Sequence, residues 1–263
     1  MKKIIALVLV LVMAVACLTA CGSKDVTVES IQKAGKLVIA TSPDFPPFEG
    51  LAADGSVEGI EIDIMNLICE ELGVKLDIQQ MDFDSVLPGV QAGKFTVGVS
   101  GISVTPAREK NTLFTDPYCL AAQAIVVTSD SSIASKADLE GKTVSVQTGT
   151  TAESFCIESG YDVKSFAANS DAQAAMATGK VDAWVIDDLT AAEMVAAYNA
   201  ENPDAPLVIL GEAMTTEPYA FAFAFGSEDL VARINEILNG LVADGTIAGI
   251  FEKHNAPYTS PLA

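Results

Sequence analysis

Residues 57–76 read VEGIEIDIMNLICEELGVKL. Ile60, Ile64, Leu67, Ile68 and Leu72 recur every three or four positions, the spacing that gathers apolar side chains on one face of an α-helix, and Gly73 is the residue type that most easily closes one. Residues 37–40 (LVIA) before this stretch and 74–78 (VKLDI) at its end read as strands. Further on, 84–92 read as a helix stopped by Gly93, and 96–99 as another strand. This alternation predicts an α/β fold, a sheet covered by helices on both faces.

The same logic starts again near residue 125. Residues 125–127 and 144–146 are expected strands, 151–159 a helix ended by Gly160, and Ser170 the cap of a helix running to Thr178. Residues 181–186 and 207–209 are expected strands with a helix over 189–198 between them. From 218 to 225, Tyr219, Phe221, Phe223 and Phe225 alternate at period two, which predicts a strand, and Leu230, Ile234, Ile237, Leu238 and Leu241 predict a last long helix. Two α/β lobes of similar size fit this order, with no short-period repeat or low-complexity tract.

The chain has 263 residues, 15 Lys and Arg against 35 Asp and Glu, and 50% hydrophobic residues. A chain this apolar can bury enough surface to offset its conformational entropy, which excludes a disordered tail. The acidic balance excludes partners held by phosphate neutralisation, so neither nucleic acid nor an anionic lipid surface is expected. His254 is the only histidine, which removes catalytic triads, paired-histidine zinc sites and most histidine general-base schemes; it reads as a surface residue of a last helix. No metal and no cofactor are expected.

Lys2 and Lys3 precede an uncharged run over 4–16, and the run closes on Leu18, Thr19, Ala20 and Cys21. A basic start, a short apolar core and small residues form a secretory signal, too short for a settled membrane span. The cysteine after the small residues resembles the lipobox of bacterial lipoproteins, which implies that Cys21 is acylated and becomes the new first residue. A body anchored outside the cytoplasmic membrane by an N-terminal lipid is expected. Cys69, Cys119 and Cys156 remain in the body; three cannot all pair and none has metal-clamp spacing, so they read as buried small residues.

Three segments fall just past expected strand ends, where open α/β sheets bind ligands. In the first, residues 41–49 (TSPDFPPFE), two prolines stiffen the turn so that aromatic side chains can be presented. The second, residues 100–108 (SGISVTPAR), brings the planar fork of Arg108, suited to a carboxylate, near the hydroxyl of Ser103. In the third, residues 147–151 (QTGTT) open a helix whose N–H groups suit an anion, and Asp187 follows an expected strand and suits a cation.

With DFPPFEG, FDSVLPGVQAGKF, SGISVTPAREK, FTDPY, VQTGTT, VDAWVID and EPYAFAF in this order, the chain resembles the amino-acid-binding branch of solute-binding proteins, family 3 of the extracellular receptors of ABC importers. The resemblance implies a two-lobed clamp of the periplasmic-binding-protein type. It implies that Arg108 and the N–H groups of Ser103 and Thr151 hold an α-carboxylate, and that Asp187, the Ser103 hydroxyl and the Gly101 carbonyl hold an α-ammonium. Phe45 and Phe83 would be the aromatic walls, with Ser42, Gln147 and Ile186 further along. Thr96, Gly98 and Ala107 depart from residues frequent in the family at sites of packing.

The expected organisation is a signal peptide over 1–20, a lipidated tether over 21–30, a first lobe from 31–123 plus 218–263 and a second lobe from 124–217. The hinge is expected at two crossings near 121–127 and 213–219. A zwitterion that meets Arg108 from one lobe and Asp187 and Thr151 from the other turns binding into closure. The implied partners are a small amino acid, a membrane permease and the lipid anchor, with the protein itself a monomer. The expected ligand is a polar L-amino acid, basic slightly ahead of neutral, although Ser42 offers no carboxylate and Ile186 is apolar. The rivals are a partner of a sensor and a dehydratase-type enzyme, for which Glu49, Glu153 and Glu217 are the candidate acids.

Overall fold

The structure, a computed structural model, describes residues 25–211 and 213–261. The signal over 1–20 and Cys21 lie outside the described residues. Among the described residues, no helix is long and apolar enough to cross a membrane.

Helix α1 (Val28–Ala34) starts where Thr27 caps it, so residues 28–30 of the expected tether are helical instead. Strand β1 (Lys36–Thr41) leads through the proline loop and a small ribbon, β2 (Gly50–Leu51) against β3 (Val57–Glu58), into α2 (Ile60–Leu72). Of the face of α2 that the spacing predicted, Ile60, Ile64, Ile68 and Leu72 are buried and Leu67 is half-buried, and Met65 joins the buried face. Each of the buried large apolar side chains contributes about 1.5–3 kcal/mol. Gly73 then adopts a left-handed conformation and closes the helix on the carbonyls of Cys69 and Glu70.

Strand β4 (Lys75–Gln80), α3 (Phe83–Gln91), β5 (Val97–Gly98), α4 (Pro106–Glu109) and β6 (Leu113–Phe114) complete the first unit. Its sheet runs β4-β1-β5-β14-β6, where β14 (Ala222–Phe223) returns from far along the chain. The pairs of β1 with β4 and β5 are parallel, and β14 runs antiparallel to its neighbours.

A second sheet, in the order β10-β9-β11-β8-β12, is built from β8 (Gln123–Thr128), β9 (Thr143–Gln147), β10 (Asp162–Phe166), β11 (Ala183–Asp187) and β12 (Leu207–Ile209). Helices α5 (Thr151–Glu158), α6 (Asn169–Ala177) and α7 (Asp188–Glu201) belong to it. The N-cap of α6 is Ala168; Ser170, expected as the cap, lies inside the first turn. The two units are joined where β7 (Cys119–Ala121) pairs antiparallel with β13 (Glu217–Tyr219). Residues 123–127, expected at the crossing, instead lie within β8 of the second sheet. The chain ends with α8 (Glu228–Ala243) and α9 (Thr246–Lys253).

The stretch 218–225 is not one half-buried strand. It breaks between β13 and β14, Ala220 and Ala222 are as buried as Phe221 and Phe223, and Phe225 is 52% exposed. Both faces of residues 219–223 are covered, so the alternation of aromatic with small residues there reflects packing size and not an inside and an outside. Cys69, Cys119 and Cys156 are buried free thiols, and His254, at the end of α9, is only partly exposed because its ring meets Asp63 at 2.8 Å.

Candidate functional site

The loop after β1 turns back on itself through N–H groups of Phe48 and Glu49 bonded to the carbonyl of Phe45. This sets Phe45 against Phe48 in a stack with ring centroids 5.7 Å apart, and Phe48 edge-on to Tyr219 at 5.1 Å. Phe45 also lies against Gly101, where φ is +52° and an added Cβ would come within 2.5 Å of the phenylalanine ring. Only glycine fits there, so the Phe45 wall can approach the backbone of the loop after β5.

Arg108 sits in the short helix α4, held by Pro106 at its start and by the Thr105 hydroxyl, which accepts from the Arg108 N–H at 3.2 Å. Its Nη1 donates to the Ser103 carbonyl at 2.8 Å, its Nη2 to the Gly149 carbonyl at 3.1 Å, and its Cζ lies 5.7 Å from the centre of the Phe83 ring. Burial lowers the pKa of Arg108, against which Glu217 and Asp187 raise it.

Asp187, the last residue of β11, is buried and accepts a hydrogen bond from the Tyr219 hydroxyl. Burial first and then Glu217 push its carboxyl up to about 8, with Arg108 acting in the opposite sense. Thr151 opens α5 behind its cap Thr150, whose hydroxyl donates to the Gln147 carbonyl at 2.7 Å and accepts from the Glu153 N–H at 3.1 Å.

Phe45, Phe83, Gly101, Ser103, Arg108, Gln147, Thr151 and Asp187 line one narrow cavity of ≈ 20 Å³, together with Ser100 and Thr150. An adjoining cavity of ≈ 20 Å³ shares Phe45, Gln147 and Asp187 and adds Asn169 and Ile186. Ser42 does not line either one. Its hydroxyl turns to Asp44 Oδ1 at 3.0 Å, and its N–H donates to the Ser100 hydroxyl at 3.1 Å.

Sequence reasoning missed Asp44, although it stands within the proline loop. Asp44 reaches the far side of the cleft and meets Gln147 and Asn169. It named Glu49 only as a candidate acid and missed its neighbour Glu61; both carboxyls are fully buried, and each acts on the ionisation of the other. Glu49 Oε1 accepts from the Ser100 hydroxyl at 2.8 Å, while Glu61 accepts from the Tyr118 hydroxyl at 2.6 Å and the Gly101 N–H at 3.0 Å. Burial raises both pKa values, and for Glu49 the charge of Glu61 adds to it. Glu49 carried a signal, an acid beside an aromatic loop. Glu61 carried none, lying among the apolar positions of an amphipathic helix.

The arrangement can grip a zwitterion: a guanidinium and a helix start for an anion, a carboxylate for a cation, aromatic walls between, and donors drawn from both sheets. Among the described residues, no group of three or more His, Cys, Asp or Glu could hold a metal ion. Two α/β units joined by a paired crossing, with a lined cleft between them, define a two-lobed binding protein of the periplasmic type.

The chain belongs to the bacterial extracellular solute-binding proteins, family 3, whose model matches residues 37–257. It is 32% identical over 241 residues to the arginine-binding extracellular protein ArtP of Bacillus subtilis (strain 168), covering 90% of this chain and 91% of that one. Among solved structures it is similar to a mutant of ArgBP from T. maritima, with TM-score 0.80, 37% identity, and 87% of this chain and 98% of the other covered. The ancestral amino acid-binding protein AncCDT-1, a precursor of cyclohexadienyl dehydratase, is similar at TM-score 0.78 and 33% identity, with 86% and 98% covered. The relatives and structures named here are binding proteins.

Proposed function

We propose that this protein is the extracytoplasmic receptor of an ABC importer, which captures a polar L-α-amino acid by lobe closure and hands it to a membrane permease. What carries the reading is that Arg108, from the first sheet unit, and Asp187 and Thr151, from the second, line the same cavity. One zwitterion can engage all three only when the units face each other, so ligand binds the closed state better than the open one. Charged hydrogen bonds are worth roughly 1.5–3 kcal/mol each, enough for a micromolar constant of about -8 kcal/mol after the entropic costs.

The arginine-binding names of several relatives favour a basic ligand over a neutral one. A guanidinium would lie well against Phe45 or Phe83. We assign 31–123 plus 218–263 to the first lobe and 124–217 to the second, with the hinge at the β7–β13 crossing. Cys21 carries the lipid, and the protein works as a monomer. We read it as a binder and not an enzyme: Glu153 is engaged by the Gly149 N–H at 2.7 Å and by the Ser165 hydroxyl, and Glu49 by Ser100 and Glu61.

The test is a thermal-melt screen of the protein, refolded from denaturant to strip ligand, against the common L-amino acids and cystine. A ligand at 100 times its dissociation constant adds about 2.7 kcal/mol, a rise of roughly 5–11 °C. No shift with any of them rejects the reading.

A further inference from the structure

We infer that Asp44 is the latch that holds the clamp closed, because it supplies from the first lobe the N-terminal cap that helix α6 of the second lobe lacks. The inference rests on the two-lobed clamp just proposed and goes beyond it to a residue outside the ligand cavity. The N-cap position of α6 is Ala168, which has no side-chain acceptor, and no side-chain cap is made within the second lobe. The first N–H of the helix, that of Asn169, is instead taken by Asp44 Oδ2 at 2.7 Å, from 125 residues away in the chain. A carboxylate at a helix N-terminus meets both an unpaired N–H and the positive end of the dipole.

Two further contacts make this a built joint. The Gln147 side-chain amide donates to Asp44 at 3.2 and 3.3 Å. That amide is itself oriented, its Nε2 also donating to the Ala167 carbonyl at 3.0 Å and its Oε1 accepting from Asn169 Nδ2 at 3.0 Å. On the other side, the Ser42 hydroxyl donates to Asp44 Oδ1 at 3.0 Å from within the same loop and presets the carboxylate. When the lobes part, Ser42 stays with Asp44, whereas Gln147 and Asn169 leave with the second lobe. Closure therefore exchanges water on these groups for protein partners, and although Gln147 and Asn169 also line the cavities, the Asp44 carboxylate itself does not. Asp44 forms no part of the lining of either cavity, so its contribution should be common to all ligands.

The experiment compares the full-length protein with Asp44→Ala and Asp44→Asn, by titration calorimetry and stopped-flow, with arginine and with glutamine. The expected result is a dissociation constant raised about 10- to 100-fold in Asp44→Ala by faster dissociation, by the same factor for each amino acid that binds. Asp44→Asn, which keeps one acceptor oxygen, should fall between. A loss confined to arginine overturns the latch in favour of direct contact with a cationic side chain, and unchanged affinity overturns it outright. If the parent protein binds no amino acid, the proposed function fails and the latch is decided separately, by hydrogen exchange at the Asn169 amide of the ligand-free protein. The exchange is expected to be faster in Asp44→Ala, and equal rates overturn the latch.

Discussion

The Arg108 guanidinium donates from Nη2 to the Gly149 carbonyl at 3.1 Å, linking α4 to the loop after β9 across the cleft. Its Nη1 is tied to Ser103 on its own side at 2.8 Å, so the fork is already oriented before any ligand arrives. An oriented fork loses little freedom when a carboxylate docks on it.

Replacing Arg108 with Ala is expected to weaken amino-acid binding at least about 100-fold, the loss of two charge-assisted hydrogen bonds. The far-ultraviolet circular dichroism should be unchanged, because Arg108 lies in a four-residue helix at the surface of the cleft. Calorimetric titration that still gives micromolar affinity would remove Arg108 from the role of carboxylate holder.

Gly149 has φ +81°, and a Cβ there would come within 3.1 Å of the Cα and Cβ of Asp84 on the opposite unit. Gly149→Ala should therefore cost about 1–2 kcal/mol of backbone strain and also wedge the cleft. We expect affinity to fall about tenfold or more and the radius of gyration in small-angle scattering to stay at its ligand-free value when ligand is added. A variant that binds and compacts as the parent does would mean that the two loops can separate without loss.

Asp187 links binding to pH. Burial holds its carboxyl at about 8, above the ordinary 3.8, so its contribution to the stability of the ligand-free protein is complete below about pH 4 and is lost as pH rises through about 8. An ammonium group beside the ionised carboxylate offsets that loss. The rise in melting temperature caused by ligand should therefore be larger at about pH 8 than at about pH 5, and Asp187→Asn should flatten the difference. A rise that is equal or smaller at the higher pH would place the ammonium elsewhere.

The carboxyls of Glu49 and Glu61 are both held above the usual range, so the stability that their protonation provides is present at low pH and declines as pH rises through their folded values. Glu49→Gln keeps a donor facing Glu61 and should lie within about 1 kcal/mol of the parent near neutral pH. Glu49→Ala leaves a hole and an unpaired carboxylate, and should lose about 2–4 kcal/mol in urea unfolding. If the glutamine variant loses as much as the alanine one, protonation of the pair is not what stabilises it.

Much of this molecule was legible residue by residue. The helix over Ile60–Leu72, the strands around 37–40, 125–127, 144–146 and 207–209, and the loops bearing Phe45, Arg108 and Thr151 follow from spacing and turn chemistry within a dozen residues of each point. The stretch 218–225 was misread for a definite reason. An aromatic alternating with a small residue has the period of a half-exposed strand, but over 219–223 both faces are covered, and period alone does not report which neighbours arrive. Ser170 was misread because a serine near a helix start resembles a cap, whereas the cap position itself is Ala168.

By itself, the sequence determined the α/β order, the family and most of the side chains that line the cleft, because those depend on local periodicity and on strings that keep their order. Only the tertiary structure decided that Asp44 meets Asn169, that Glu49 meets Glu61, and that Ser42 turns away from the cavity. Asp44 and Asn169 meet only because of how two separate sheets face one another, Glu49 and Glu61 because a loop folds onto a helix of the same lobe, and Ser42 is drawn aside by Asp44 within its own loop; hydrogen bonds at 2.7–3.0 Å depend on such placement to a fraction of an ångström. No pattern along the chain encodes a distance between residues 125 positions apart; the packing of the two lobes does.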